Sequence, residues 1–410
     1  MGSSDRERPV PATQSGGASG GASGPGGSTS DQRPPSVEPF LAGCAFPPTS
    51  GVPYPRAQSA DAGRLPADTW ATASIPVGVR LELTGDAEAV EIEYETATAE
   101  LGYRGEGAGT TFTSWRGASV LDDVPAVLGP GRVTLRLLAQ PSSGGSGAFG
   151  GSAGSGGSAG SGGSDGSAGS AGAADFSSGD ADAAADRWVV TLPEGMRPSI
   201  LGIRGVGGTV RPAPVQPRWL CYGDSIAEGW VASNPGRAWP AIAGRRYGLD
   251  VVNLGYAGAA RGEMVSAEEI AGIPADVISL SYGTNCWTRI EHSAEQVGAG
   301  LDAFIDLVRS GHPDTPIVVA SPVIRPDAED QPNRLGATLS DLRSVIEARI
   351  ERRAAVDPRL HLVRGGPLLV ADQLADGVHP GDEGHRILAQ AIGSVVRAGI
   401  DASADTDPSA

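Results

Sequence analysis

The 410-residue chain has no lysine: all 31 of its basic residues are arginine. That absence rules out a lysine general base or a lysine Schiff base. It reads as a GC-rich coding bias rather than as function. Cysteine is almost as scarce. Cys44, Cys221 and Cys286 make an odd number without paired spacing, which argues against a disulfide framework and favours a reducing compartment. No apolar run is long enough to span a bilayer. The opening Met1-Gly2-Ser3-Ser4-Asp5-Arg6 leads into Pro, Gly and Ser without a hydrophobic signal segment, and Arg6 breaks the myristoylation pattern. A cytoplasmic location is the expectation. Positive charge is in deficit too, with a formal net charge of −17. This excludes nucleic acid and anionic membrane surfaces as expected partners.

What the chain has in excess is glycine, 61 residues, much of it in two polar stretches. Residues 1 to about 36 hold too few apolar side chains to offset the entropy of ordering. A tract from Pro141 to Asp186 repeats units such as Gly154-Ser155-Gly156-Gly157-Ser158 and predicts a flexible loop. On either side lie Arg132 to Leu138 and Arg187 to Leu192, both alternating with period two, so the tract is expected to join two strands of one sheet. Val79, Leu81 and Leu83 alternate in the same way, as do Val90, Ile92 and Tyr94, and Thr111 to Trp115 adds a further strand. No helical stretch stands out, which predicts an antiparallel β-sandwich.

After Pro212 the pattern changes. Apolar strands at Trp219–Tyr222, Val251–Leu254, Val277–Leu280, Ile317–Ala320 and Leu360–Val363 alternate with helical patterns, among them Ala294–Ser310, Leu339–Ala354 and a last one over about Gly384–Ala398. Five such repeats predict an α/β fold with a five-stranded parallel sheet covered on both faces. The expected division is a disordered tail over 1–36, a β-sandwich over 37–212 with a disordered loop over 141–186, a catalytic domain over 213–400 and a disordered tail over 401–410.

In open parallel sheets, functional groups collect at the carboxyl ends of the strands. Ser225 follows the first strand of this half, Gly258 the second and Asn285 the third; Asp376 and His379 lie between the fifth strand and the last helix. A serine hydroxyl becomes a nucleophile when a neutral imidazole takes its proton, and that imidazole needs a carboxylate to fix its tautomer. Ser225, His379 and Asp376 supply the three groups. The oxyanion that attack creates needs preorganised donors. The N–H groups of Ser225 and Gly258 and the amide of Asn285 supply those.

Gly223-Asp224-Ser225, Gly258, Gly283-x-Asn285 and Asp376-x-x-His379 together resemble the four blocks of the SGNH (GDSL-type) hydrolases, over roughly Arg218 to Ile400. The resemblance implies a flavodoxin-like three-layer fold, Ser225 as nucleophile, Gly258 and Asn285 in the oxyanion hole, His379 as base, Asp376 as its orienting acid, no metal and no cofactor. Two departures, Ile226 where Leu is usual and Ala257 where Ser is common, touch no catalytic atom. Some family members, carbohydrate esterases and an acyltransferase-like branch among them, also carry a β-sandwich.

The expected activity is hydrolysis of short acyl esters, acetyl above all, of a carbohydrate or small metabolite. An acyltransferase with the same triad is the first alternative, and a carbohydrate-binding protein with a decayed hydrolase unit the second. A homo-oligomer is left open. Ala227 stands where a Gly-x-Ser-x-Gly elbow needs glycine, which disfavours the α/β-hydrolases. His379, His385, Asp376 and Asp382 could be read as a metal cluster, but the seryl arrangement accounts for them better. His385 reads as structural, and His292, His312 and His361 as surface or helix-end residues. Cys221 and Cys286 read as small buried groups. Trp230, Trp239 and Trp287 flank the site in sequence, Trp287 as a candidate pocket wall, and Arg261 is open between substrate contact and solvated surface.

Overall fold

The computed structural model describes residues 36–99, 109–138 and 187–404. The expected tail over 1–36, except Ser36, and the Gly/Ser/Ala tract of 141–186 lie outside the described residues. In the first half, β1 (Leu41–Ala42), β2 (Arg80–Gly85), β3 (Ala89–Thr96), β4 (Thr111–Arg116), β5 (Ser119–Pro125), β6 (Gly129–Arg136), β7 (Trp188–Thr191), β8 (Pro198–Val206) and β9 (Val210–Pro212) form two antiparallel sheets. One has the order β1-β2-β7-β4-β5, with β9 also pairing with β2; the other has the order β6-β3-β8. Alternate side chains of both sheets, Leu81, Leu83, Phe112 and Val190 from one and Val90, Ile92, Val133 and Leu135 from the other, share a single buried core. This is the sandwich that the period-two pattern predicts.

Two expectations for this half are corrected. The strands on either side of the 141–186 tract lie in different sheets, β6 in the three-stranded one and β7 in the six-stranded one. Alternation identifies a strand but carries no information about its neighbour, and both faces of a sandwich give the same pattern. A helix is also present: α1 (Ala67–Ala73) is seven residues long and its N-cap, Pro66, makes no side-chain bond. At two turns, with no polar cap, it leaves little periodic signal.

The second half is a parallel sheet of β10 (Arg218–Gly223), β11 (Asp250–Gly255), β12 (Val277–Ser281), β13 (Ile317–Ala320) and β14 (Leu360–Val363), in the order β11-β10-β12-β13-β14. Numbered within this half the order is 2-1-3-4-5, the flavodoxin-like arrangement, with its switch point between β10 and its two neighbours. One face of the sheet, with Leu220, Tyr222, Ile278, Leu280 and Val319, packs against α4 (Met264–Gly272), α6 (Ala294–Gly311) and α7 (Leu339–Ala354). The other, with Trp219, Cys221, Val277 and Val318, packs against α3 (Trp239–Tyr247) and α8 (Asp382–Ala404). Strands buried on both faces explain the continuous apolar runs. Capping boxes at Ser293/Gln296 and Thr338/Asp341 start α6 and α7 where the sequence pattern places them. The last helix runs on to Ala404, past the expected Ala398. All three cysteines are free, and Cys221 and Cys286 are buried.

The two halves are tied by buried polar contacts. Arg80 on β2 pairs with Asp250 on β11 at 3.0 Å, and Asn234 Nδ2 donates to Thr113 Oγ1 at 2.7 Å. Arg56 pairs with Glu228 at 3.7 Å, each side chain 1% exposed. The Arg56 guanidinium also donates to the carbonyls of Ile75 and Thr72 in its own half and of Asn253 and Gly255 in the other.

Candidate active site

The turn that carries Ser225 is built by local rules. The strand β10 ends at Gly223, where a Cβ would stand 2.5 Å from the Ala227 Cβ and 2.8 Å from the Ser281 carbonyl; only glycine lets the chain turn this tightly. Asp224 then caps α2 (Ser225–Glu228) by accepting from the Ile226 N–H at 2.9 Å. Ser225 is the first residue of that helix, so its N–H has no intrahelical acceptor and points out with the helix dipole behind it. Burial pushes the Asp224 carboxyl above its ordinary value, with the Ile226 N–H acting in the other direction.

Ser225, His379 and Asp376 lie side by side. Ser225 Oγ lies 2.8 Å from His379 Nε2, and His379 Nδ1 lies 2.7 Å from Asp376 Oδ2. The other Asp376 oxygen accepts from the N–H groups of Val378 at 2.9 Å and His379 at 2.7 Å. Partial burial pushes the Asp376 carboxyl up, but the imidazole and these two amides outweigh it and hold it below its ordinary value. A carboxylate facing Nδ1 fixes the proton there and leaves Nε2 as an acceptor for the serine hydroxyl. The ring of Trp230 lies 5.5 Å from that of His379, tilted by 32°. Trp230 is packed in turn on Ile75 and Val77, so the first half helps to wall the imidazole.

The Gly255–Arg261 segment runs on from the end of β11. Gly258 has φ +69°, a left-handed conformation that suits glycine. Asn253 joins this segment to the Ser225 turn, donating to the Ala227 carbonyl at 2.8 Å and accepting from the Gly255 N–H at 2.8 Å. Glu228 accepts from the Ala257 N–H at 2.7 Å. Asn285, second residue of α5 (Thr284–Thr288), is buried and donates to the Ala260 carbonyl at 3.3 Å. Its amide has a second N–H to offer. The structure thus brings Ser225, Asp376 and His379 into one hydrogen-bonded chain and places Gly258 and Asn285 on adjoining elements.

Several supporting residues were not visible in the sequence. Arg261 is not a solvated residue: its side chain is 5% exposed, pairs with Asp68 at 2.9 Å and Glu263 at 3.4 Å, and donates to the Gly258 carbonyl at 3.0 Å. Asp68 belongs to α1, the helix that the sequence pattern does not reveal. His385 is structural as expected, fully buried between the Trp239 N–H and the Trp230 carbonyl. His312 ends α6 and is buried, whereas His361 is half-buried on β14, not at the surface or a helix end. Trp239 is core, its ring 5.7 Å from that of Trp219 and tilted by 52°. Trp287 donates to the Gln331 carbonyl at 2.8 Å and carries the Arg325 guanidinium 4.9 Å from its ring. Burial pushes the Cys221 and Cys286 thiols up to about 12, consistent with inert core groups. A cleft of about 880 Å³ between β2, β7 and α3 contains none of Ser225, Asp376 and His379. Among the described residues, no helix is long and apolar enough to cross a membrane.

Residues 221–387 match the model of the GDSL-like lipase/acylhydrolase family. No curated protein sequence matches the chain. Among solved structures, a salicylyl-acyltransferase, SsfX3, from a tetracycline biosynthetic pathway is similar at 23% identity and a TM-score of 0.66, over 90% of this chain and 97% of that one. A GDSL-like protein from Bacteroides ovatus is similar at 19% identity and a TM-score of 0.63, over 88% and 96%. A family two carbohydrate esterase from Clostridium thermocellum follows at 12% identity and 0.51, over 79% and 92%. At these identities the likeness shows a shared fold, sandwich included. Residues 221–387 are thus similar to the GDSL-like lipase/acylhydrolase family, and the likeness covers that part of the chain.

Proposed function

We propose that the chain is a serine esterase of two domains, a β-sandwich over 37–212 and a catalytic domain over 213–400, which hydrolyses short acyl esters of a carbohydrate or small metabolite through an acyl-enzyme on Ser225. The observation that carries the reading is the continuous chain Ser225–His379–Asp376, with both links at 2.7–2.8 Å.

Ser225 Oγ attacks the ester carbonyl as His379 Nε2 takes the hydroxyl proton, and Asp376 stabilises the imidazolium. Charge that develops on the carbonyl oxygen is met by the N–H groups of Ser225 and Gly258 and by Asn285 Nδ2; each such donor is worth roughly 10²–10³ in rate. The alcohol leaves with the proton from Nε2. Water then enters, gives its proton to the same nitrogen and releases the acid. An alcohol in place of that water turns the same intermediate into an acyl-transfer product. The fold shared with an acyltransferase keeps this second reading in play.

The deciding experiment compares wild type with Ser225→Ala on p-nitrophenyl esters from acetate to palmitate. Turnover of the short esters by wild type, abolished in the variant without loss of thermal stability, is the expected result. Turnover of long-chain esters alone overturns the short-acyl assignment. A folded wild type that hydrolyses none of them overturns the esterase reading in favour of transfer, which is read by product analysis with an alcohol acceptor present.

A further inference from the structure

One cation at the edge of this site is left unneutralised. Arg289 follows α5 and donates its N–H to the Asn285 carbonyl at 3.0 Å, four residues back, so the two side chains leave the same face of the turn. Asn285 reaches the Ala260 carbonyl, and the Arg289 guanidinium reaches Gly258. A Cβ on that glycine would stand 3.3 Å from both Nε and Nη2. Two arginines therefore border Gly258. Arg261 is held by Asp68 and Glu263. Arg289 is exposed and has no ion pair or side-chain hydrogen bond among the described residues. In a chain with 48 acidic and 31 basic residues, most described guanidiniums find a carboxylate, and this one does not.

A net charge of −17 repels anions at long range, so an anionic substrate needs a local cation to hold it. We infer that Arg289 is an anion-recognition residue on the rim of the oxyanion pocket, and that the natural ester carries a carboxylate or phosphate within a few atoms of its scissile carbonyl. The inference rests on the serine-esterase reading. The planar fork of a guanidinium suits either oxyanion, and each would bind by charge-assisted hydrogen bonds. The anion belongs either to the acyl group or to the alcohol, and one set of substrates separates the two.

The test measures kcat/KM for wild type, Arg289→Ala and Arg289→Lys on three esters: neutral p-nitrophenyl acetate, mono-p-nitrophenyl glutarate with its carboxylate on the acyl side, and 2-carboxy-4-nitrophenyl acetate with its carboxylate on the alcohol side. Arg289→Ala is expected to lower turnover of one anionic ester about ten- to a hundredfold more than that of the acetate, the range of a lost charged hydrogen bond. Arg289→Lys should recover part of that loss, and added salt should shrink the difference. Which ester responds assigns the side of the anion. Equal losses on all three esters, or none on any, overturn the inference while leaving Ser225-dependent hydrolysis intact. Wild type inactive on all three overturns the esterase reading and this inference with it. Among the described residues the Arg289 side chain has no hydrogen bond or ion pair, so the melting temperature of both variants should match wild type.

Discussion

Asp376 shows how one side chain can be both exposed and exacting. Its carboxylate is 46% exposed, yet it accepts two backbone N–H groups as well as the imidazole. The backbone bonds aim it, so Asp376→Asn should keep the loop geometry while presenting an amide that favours the wrong tautomer of His379. We expect kcat to fall by roughly 10²–10⁴, the upper end being the loss known for a fully buried triad aspartate. The melting temperature should barely change, and a kcat equal to wild type would remove Asp376 from the mechanism. Because its pKa is held low, Asp376 stays ionised as the pH drops. The acid limb of the rate profile is therefore not expected to report Asp376. These residues were legible because their chemistry is local: a capped turn after a strand, and a carboxylate three residues from a histidine. Arg261 was not, since what buries it is Asp68, 193 positions away in sequence.

Among the elements, the five parallel strands and the long helices were readable. Each buries a continuous or strongly periodic set of side chains, and two of the helices carry capping boxes. Short elements whose stability comes from partners elsewhere were not, α1 being the example. Helix α4 shows what such a partner can do to a charge. Its Glu269 is 7% exposed, accepts from the Gln58 N–H at 2.8 Å, and is pushed up to about 7 by burial, with that N–H acting against the rise. A carboxyl whose pKa is raised on folding binds its proton more tightly in the native state. Its contribution to stability is therefore full below the ordinary carboxylate range and is lost as pH rises toward 7. Glu269→Gln keeps an acceptor for Gln58 and carries no charge. It should melt higher than wild type above about pH 8, with the gap closing near pH 5. A constant difference across that range would show that Glu269 does not titrate as described.

At the scale of the whole molecule, the sequence divides sharply near Pro212 while the packing does not. The segment that carries Gly258 is braced from the first half at two points, by Asp68 through Arg261 and by Arg56 at the end of β11. Trp230, which faces His379, rests on Ile75 and Val77. Residues 213–410 expressed alone would leave Glu228 buried without its cation, and an uncompensated buried charge costs on the order of 3–5 kcal/mol. We expect that fragment to be insoluble or to unfold at clearly lower urea than the full chain, with little esterase activity. A fragment as stable and as active as the full chain would show that the sandwich plays no part in the site.

Arg56 bears on how such chains can be recombined. Its guanidinium is shared between carbonyls of Thr72 and Ile75 on one side and of Asn253 and Gly255 on the other, and its own carbonyl accepts from the Tyr256 hydroxyl at 2.6 Å. A chimera that borrows its sandwich from another protein would graft cleanly at the Pro212 joint, and its crossover would look sound on paper. Unless the donor carried a guanidinium at this depth, the graft would cut an interlock some 150 residues upstream of the joint and loosen the strand end from which the Gly258 turn departs.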